Sequence, residues 1–107
     1  TGVDRHLWRE PLCHAHSDPT LRFWCADQSP YTWRETPCAV TFFDAATGRT
    51  RQIASALPFP AVGRDNPYHL DPHPQFSPRG TWVVYTTTAL DGRVDVALAP
   101  VAALAAP

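Results

Sequence analysis

An all-β fold of short antiparallel strands is the architecture that the amino-acid sequence predicts, and three features carry the prediction. Twelve prolines and five glycines in 107 residues interrupt the chain too often for long helices, because an interior proline costs a helix about 3 kcal/mol. Short apolar runs rich in β-branched and aromatic residues alternate with polar turns. One strand–turn–strand pattern also occurs twice.

The first unit contains three strand-like runs, Leu21 to Ala26, Cys38 to Asp44 (CAVTFFD) and Arg51 to Leu57. Between the last two lies Ala45-Ala46-Thr47-Gly48-Arg49, where Gly48 can take the positive φ of a tight turn, so residues from about 38 to 57 form a hairpin. Leu57 to Pro67 (LPFPAVGRDNP) holds three prolines and a glycine and reads as a loop. The second unit runs from a strand at His73 to Phe76, through a turn at Ser77-Pro78-Arg79-Gly80, to a strand at Thr81 to Thr87. A turn at Asp91-Gly92 and a strand at Val94 to Val101 complete it, and Ala102 to Pro107 is coil or a frayed helical turn.

Ser17-Asp18-Pro19-Thr20 running into Leu21-Arg22-Phe23-Trp24 matches Ser77-Pro78-Arg79-Gly80 running into Thr81-Trp82-Val83-Val84, at an offset of 60 residues. Hairpins at DAATGR and ALDGR follow. This is the pattern of a four-stranded β-propeller blade given twice, one blade over about 8–57, a loop over 58–67, a second blade over about 68–101 and a tail over 102–107. Two blades cannot close a ring. The chain also has no methionine, so it is expected to be processed or, the favoured reading, excerpted from a longer protein, with the remaining blades supplied by another chain or by the missing portion. The competing architecture is an independent β-sandwich of about seven short strands.

Nine Lys plus Arg against ten Asp plus Glu, without a basic run, argue against a nucleic-acid partner. No apolar run approaches the roughly 18 residues that span a bilayer, and Thr1-Gly2-Val3-Asp4 lacks a signal-peptide pattern, so no membrane partner is expected either. Cys13, Cys25 and Cys38 lack CxxC spacing and read as three small buried hydrophobes, with a Cys25–Cys38 bridge as the alternative. GxSxG, GxxxxGK[ST], HExxH and GxGxxG are all missing from the sequence, which leaves serine-hydrolase, P-loop, zincin and dinucleotide readings unsupported.

The chemistry concentrates in the histidines. Four of five lie in two clusters, His14 and His16 in CHAHSD, and His69 and His73 in YHLDPHPQF. On an extended strand alternate residues share a face, so His69, Asp71 and His73 are expected to project together, and His14 with His16. If the two strands lie in adjacent blades, three imidazoles and a carboxylate converge as a site suited to Mn2+, Zn2+ or Fe2+. Taken singly, each histidine is more ordinarily a hydrogen-bonded surface or core residue. Trp24 and Trp82 fall in apolar strands as core, which leaves Trp33 in QSPYTWRET as a sugar-stacking platform. Arg34 beside it is expected either to pair bidentately with a carboxylate ligand or, more ordinarily, to be a solvated loop arginine. Asp27 is placed to orient a ligand or a metal-bound histidine, or to close a turn.

The segment Pro11-Leu12-Cys13-His14-Ala15-His16-Ser17-Asp18, leading into LRFWCAD, resembles the oligogalacturonate lyases, and so does Leu70-Asp71-Pro72-His73-Pro74-Gln75-Phe76-Ser77-Pro78 with TWVVYTT and DGRVDVAL. The likeness spans most of residues 8 to 101. These lyases are seven-bladed propellers with a metal-binding histidine after a Pro/Cys stretch, on which His14 falls, and a final-blade HPHPxFxP signature, on whose second histidine His73 falls. Asp71 stands where the signature has its first histidine, and Tyr68 where the family has a glutamine ligand; His69 is the replacement ligand. The resemblance implies that residues 1–107 are the C-terminal part of a metal-binding lyase of pectin degradation and carbohydrate metabolism, cleaving oligogalacturonate or a related oligouronide by β-elimination. Its ligands would be His14, His69, Asp71 and His73. Manganese is the leading ion, with Zn2+, Ca2+ and Fe2+ as alternatives. Asp27, Trp33 and Arg34 would contact substrate, and the proton-abstracting base would lie in earlier blades, with His16 as a local candidate. Competing readings are a non-catalytic TolB-like propeller that binds protein or glycan, and a propeller attached to a peptidase.

Overall fold

The computed structural model describes residues 6–33, 35–58 and 71–107. Its regular structure is almost entirely β. Strands β1 (Ala15–Ser17), β2 (Phe23–Gln28), β3 (Ala39–Asp44) and β4 (Arg49–Ala54) form an antiparallel sheet in sequence order. Strands β5 (Gln75–Phe76), β6 (Trp82–Thr87) and β7 (Asp95–Pro100) form a three-stranded antiparallel sheet. The second unit therefore has three strands among the described residues, where four were expected.

Strand alternation decides what each sheet buries. His16 lies opposite Cys25, Cys25 opposite Phe42 and Phe42 opposite Arg51, which puts one residue of each strand in a row across the first sheet. Cys25 and Phe42 from that row pack against Phe76, Val83, Ala99 and Val101 from the second unit, with Phe23, Ile53 and Tyr85 at the margin. The two sheets thus share one core between their facing sides. Phe42 sits at its centre, with ring centroids 5.3 Å from Phe23 and 6.4 Å from Phe76; burying such a ring contributes about 3 kcal/mol.

Gly48 closes the β3–β4 hairpin at φ 71°, and Asp91 and Gly92 turn the chain between β6 and β7 at φ 53° and 70°. The strand following that first turn is Arg49–Ala54, two residues earlier than expected, because Arg49 already pairs with Asp44. Residues 101–105 form a short helix, α1 (Val101–Ala105), so the tail, expected as coil or a frayed helical turn, is helical over most of its length, and Val101, expected to end the preceding strand, opens the helix. Arg49 donates to the carbonyls of Ala105 (3.0 Å) and Ala106 (2.7 Å), supplying partners and positive charge to a helix C-terminus.

The internal repeat is real in its turns but its offset is 59 residues, not 60. Asp18 N–H donates to the Phe23 carbonyl at 2.9 Å, and Ser77 N–H donates to the Trp82 carbonyl at 2.9 Å. Phe23 thus falls on Trp82, and Trp24 on Val83. The two sheets nevertheless bury opposite faces of these equivalent strands: Phe23 packs against the shared core, whereas β6 turns its Val83 side to the first sheet, so that Val83 is fully buried and Trp82, expected in the core, alternates to the far side and is 44% exposed.

Candidate metal centre

Asp27 follows Phe23 and Cys25 on the inner face of β2 and is fully buried. A carboxylate removed from water must find partners, and this one finds them in both units. Its Oδ1 accepts the backbone N–H of His14 at 2.8 Å, and its Oδ2 accepts the backbone N–H of His73 at 2.8 Å. His14 Nδ1 lies 3.2 and 3.1 Å from the two oxygens. A carboxylate only accepts, so Nδ1 carries the ring proton and Nε2 is left with the lone pair. Of the roles open to Asp27 in sequence, the geometry serves the orientation of a histidine; a fully buried side chain has no surface to offer substrate.

At the repeat offset of 59 residues His14 is the counterpart of His73, so both histidines stand at the entry to the first strand of their sheet. Their rings stack with centroids 3.5 Å apart and planes 24° from parallel. Residues 71–74 are not a strand, and His73 has φ 45°, so strand alternation is not what brings Asp71 and His73 together. The turn of the backbone at His73 does so. A left-handed conformation in a non-glycine residue costs about 1 kcal/mol or more and is typically retained where the side chain is used.

Asp71 is buried, at 7% exposure. One donor atom each from His14, Asp71 and His73 lies within 4.8 Å of the others, as does one each from Cys13, His14 and Asp27. Two imidazoles and a carboxylate are a donor set that borderline divalent ions accept. One adjustment is required. An imidazole ligates in its own plane, and two stacked planes cannot both aim a lone pair at one ion, so the exposed His73 ring must turn out of the stack.

His16 is placed differently. Its Nδ1 accepts the backbone N–H of Phe76 at 3.1 Å, joining β1 to β5 and leaving the proton on Nε2. Trp33, 43% exposed, sits beside the site on the turn after β2, its indole N–H donating to the Leu12 carbonyl at 3.3 Å. Trp24 lines a cleft of about 350 Å³ on the outer face of the first sheet with Leu7, Trp8, Leu12, Cys13 and Phe43. His69, Tyr68 and Arg34 lie outside the described residues.

The three cysteines are free thiols, and Cys25 lies opposite Phe42 rather than Cys38. Burial, aided by the negative charge of Asp27, pushes Cys25 up to about 12, and burial with Asp27 and Asp71 pushes Cys38 up to about 11. Cys13 departs from the expected buried hydrophobe: it is half-buried and its thiol lies 3.7 Å from His14 Nε2. Its adjacency to His14 in CHAHSD was the available signal. Among the described residues no helix is long and apolar enough to cross a membrane. No protein-family model, curated protein or solved structure matches this chain.

Proposed function

We propose that His14, Asp71 and His73 hold a divalent cation in an oligouronide lyase of the oligogalacturonate-lyase type, and that Asp27 orients its histidines. The observation that carries the reading is the Asp27 carboxylate, which ties both histidine-bearing segments to one buried charge while turning His14 Nε2 away from that charge, toward the Cys13 thiol. His69 is a further ligand in this reading, and Mn2+ the leading ion.

A bound cation supplies Lewis acidity, drawing off the negative charge that grows on the uronate carboxylate as the C5 proton leaves. Asp27 keeps the His14 ring in the tautomer that ligates through Nε2. Trp33 offers an exposed indole face beside the site for a pyranose ring, and Arg34, in this reading, pairs with a substrate carboxylate. The base that removes the C5 proton is assigned outside these 107 residues.

The propeller part of the proposal rests on how the sheets repeat. Under the 59-residue offset, the side of the first sheet that the second covers corresponds to the open side of the second sheet. That open side is apolar, with Trp82 at 44%, Val96 at 73% and Leu98 at 61% exposure. A closed sandwich would place polar residues there, whereas a further blade would cover it.

A second reading, a non-catalytic binding propeller, is favoured by the closed His14–His73 stack, which also serves as a clasp between sheets. Measuring Mn2+ binding, together with the ultraviolet absorbance of unsaturated uronate released from oligogalacturonate, on the longer protein that contains these residues and the base-bearing blades, separates the two. The lyase reading expects binding, and activity lost with EDTA and in His73→Ala. Absent binding, or activity untouched by His73→Ala, overturns it.

A further inference from the structure

The donor atom of Cys13 groups with those of His14 and Asp27, and the donor atoms of Asp71 and His73 group with that of His14, so His14 is the member common to both sets. We infer that Cys13 is a thiolate ligand of an ion bound at His14, with Asp71 and the turned-out His73 closing on it from the other side, and that it tilts the centre toward Zn2+ and other thiophilic ions over Mn2+, an inference that rests on the metal reading above. With His14 Nδ1 engaged by Asp27, an ion must approach Nε2, and the atom beside Nε2 is Cys13 Sγ at 3.7 Å. Tetrahedral zinc with Zn–S of about 2.3 Å and Zn–N of about 2.0–2.1 Å separates its sulfur and nitrogen ligands by about 3.6 Å. The thiol and the imidazole are thus already spaced as two ligands of one ion.

Asp27, though within reach of both, acts as the outer partner, because its two oxygens are taken by the backbone N–H groups of His14 and His73. Cys13 is also the cysteine suited to the role. Cys25 and Cys38 are held as thiols by burial, whereas Cys13 is half-exposed, with the Thr32 hydroxyl 3.5 Å from its sulfur. On coordination the S–H bond breaks, the electron pair of sulfur forms the S–metal bond and the proton passes to solvent. A soft sulfur donor favours zinc and disfavours manganese, whose preferred ligands are oxygen and water.

Cobalt(II) replaces zinc with a visible signature and tests the inference directly. The expected spectrum combines visible d–d bands with a near-ultraviolet sulfur-to-cobalt charge-transfer band. In Cys13→Ser the charge-transfer band disappears while the d–d bands persist, and the preference for Zn2+ over Mn2+, read by competition, falls about tenfold or more. Circular dichroism and the Cys13→Ala variant check that the fold is retained. Visible bands without charge transfer in the unsubstituted protein, or charge transfer that survives Cys13→Ser, overturn the thiolate ligand and leave the histidine centre standing. A chain that binds no cobalt overturns both.

Discussion

Asp27 and His73, 46 residues apart in the chain, meet at 2.8 Å, with the backbone N–H of His73 donating to the buried carboxylate. The same carboxylate holds His14. One charged side chain on β2 therefore secures the entry to both sheets and sets the tautomer of a histidine at the candidate centre.

Replacing that carboxylate tests its structural weight. In Asp27→Asn an amide NH2 must face one of the two N–H donors, leaving buried groups unsatisfied at a cost of about 2–4 kcal/mol. Urea unfolding monitored by tryptophan fluorescence is the check; a loss below about 0.5 kcal/mol would contradict the assignment.

His73 offers a separation of stability from function. His73→Gly removes the left-handed strain at φ 45° that His73→Ala retains, so the glycine variant is expected to be more stable than the alanine variant by about 1 kcal/mol. Both lose metal affinity by at least about tenfold. Equal unfolding midpoints would show that the backbone is not strained there.

The acid limb of stability is expected to report on Asp44. Arg22 donates to it through Nε at 3.2 Å and Nη2 at 3.1 Å, and this hydrogen bonding holds the carboxyl below its ordinary value of 3.8. A depressed folded value means the contribution is present above the ordinary value and is lost as the pH falls through the folded one. Asp44→Asn should therefore flatten the fall in thermal midpoint below about pH 4; an unchanged acid limb would assign that fall to other carboxyls.

Thiol labelling should distinguish the cysteines. Cys25 and Cys38, raised to about 12 and about 11, are expected to react only on unfolding, while Cys13 reacts in the folded protein. Zn2+ should then protect Cys13. Native labelling of all three would mean that the shared core opens readily.

Much of the architecture is legible in the sequence because it depends on local chemistry. Prolines exclude long helices, CAVTFFD specifies β3, and Gly48 and Asp91-Gly92 specify their turns at the positive φ observed. The histidine clusters were visible for the same reason, since donor type and spacing are properties of the string.

Tertiary structure decided what local pattern does not encode. The 59-residue register follows from the hydrogen bonds of Asp18 to Phe23 and Ser77 to Trp82, and the choice of which face of β6 meets the first sheet, invisible to composition, leaves Trp82 on the open side. Strand alternation grouped Asp71 with His73, but the left-handed turn at His73 does the work. Asp27 read as one of several options until its burial left both oxygens answering to His14 and His73. The sequence by itself determined a β chain with its histidines clustered in two places. Only packing of the two sheets brought those places to one buried charge, because a carboxylate taken out of water gathers whatever donors the fold can bring to it.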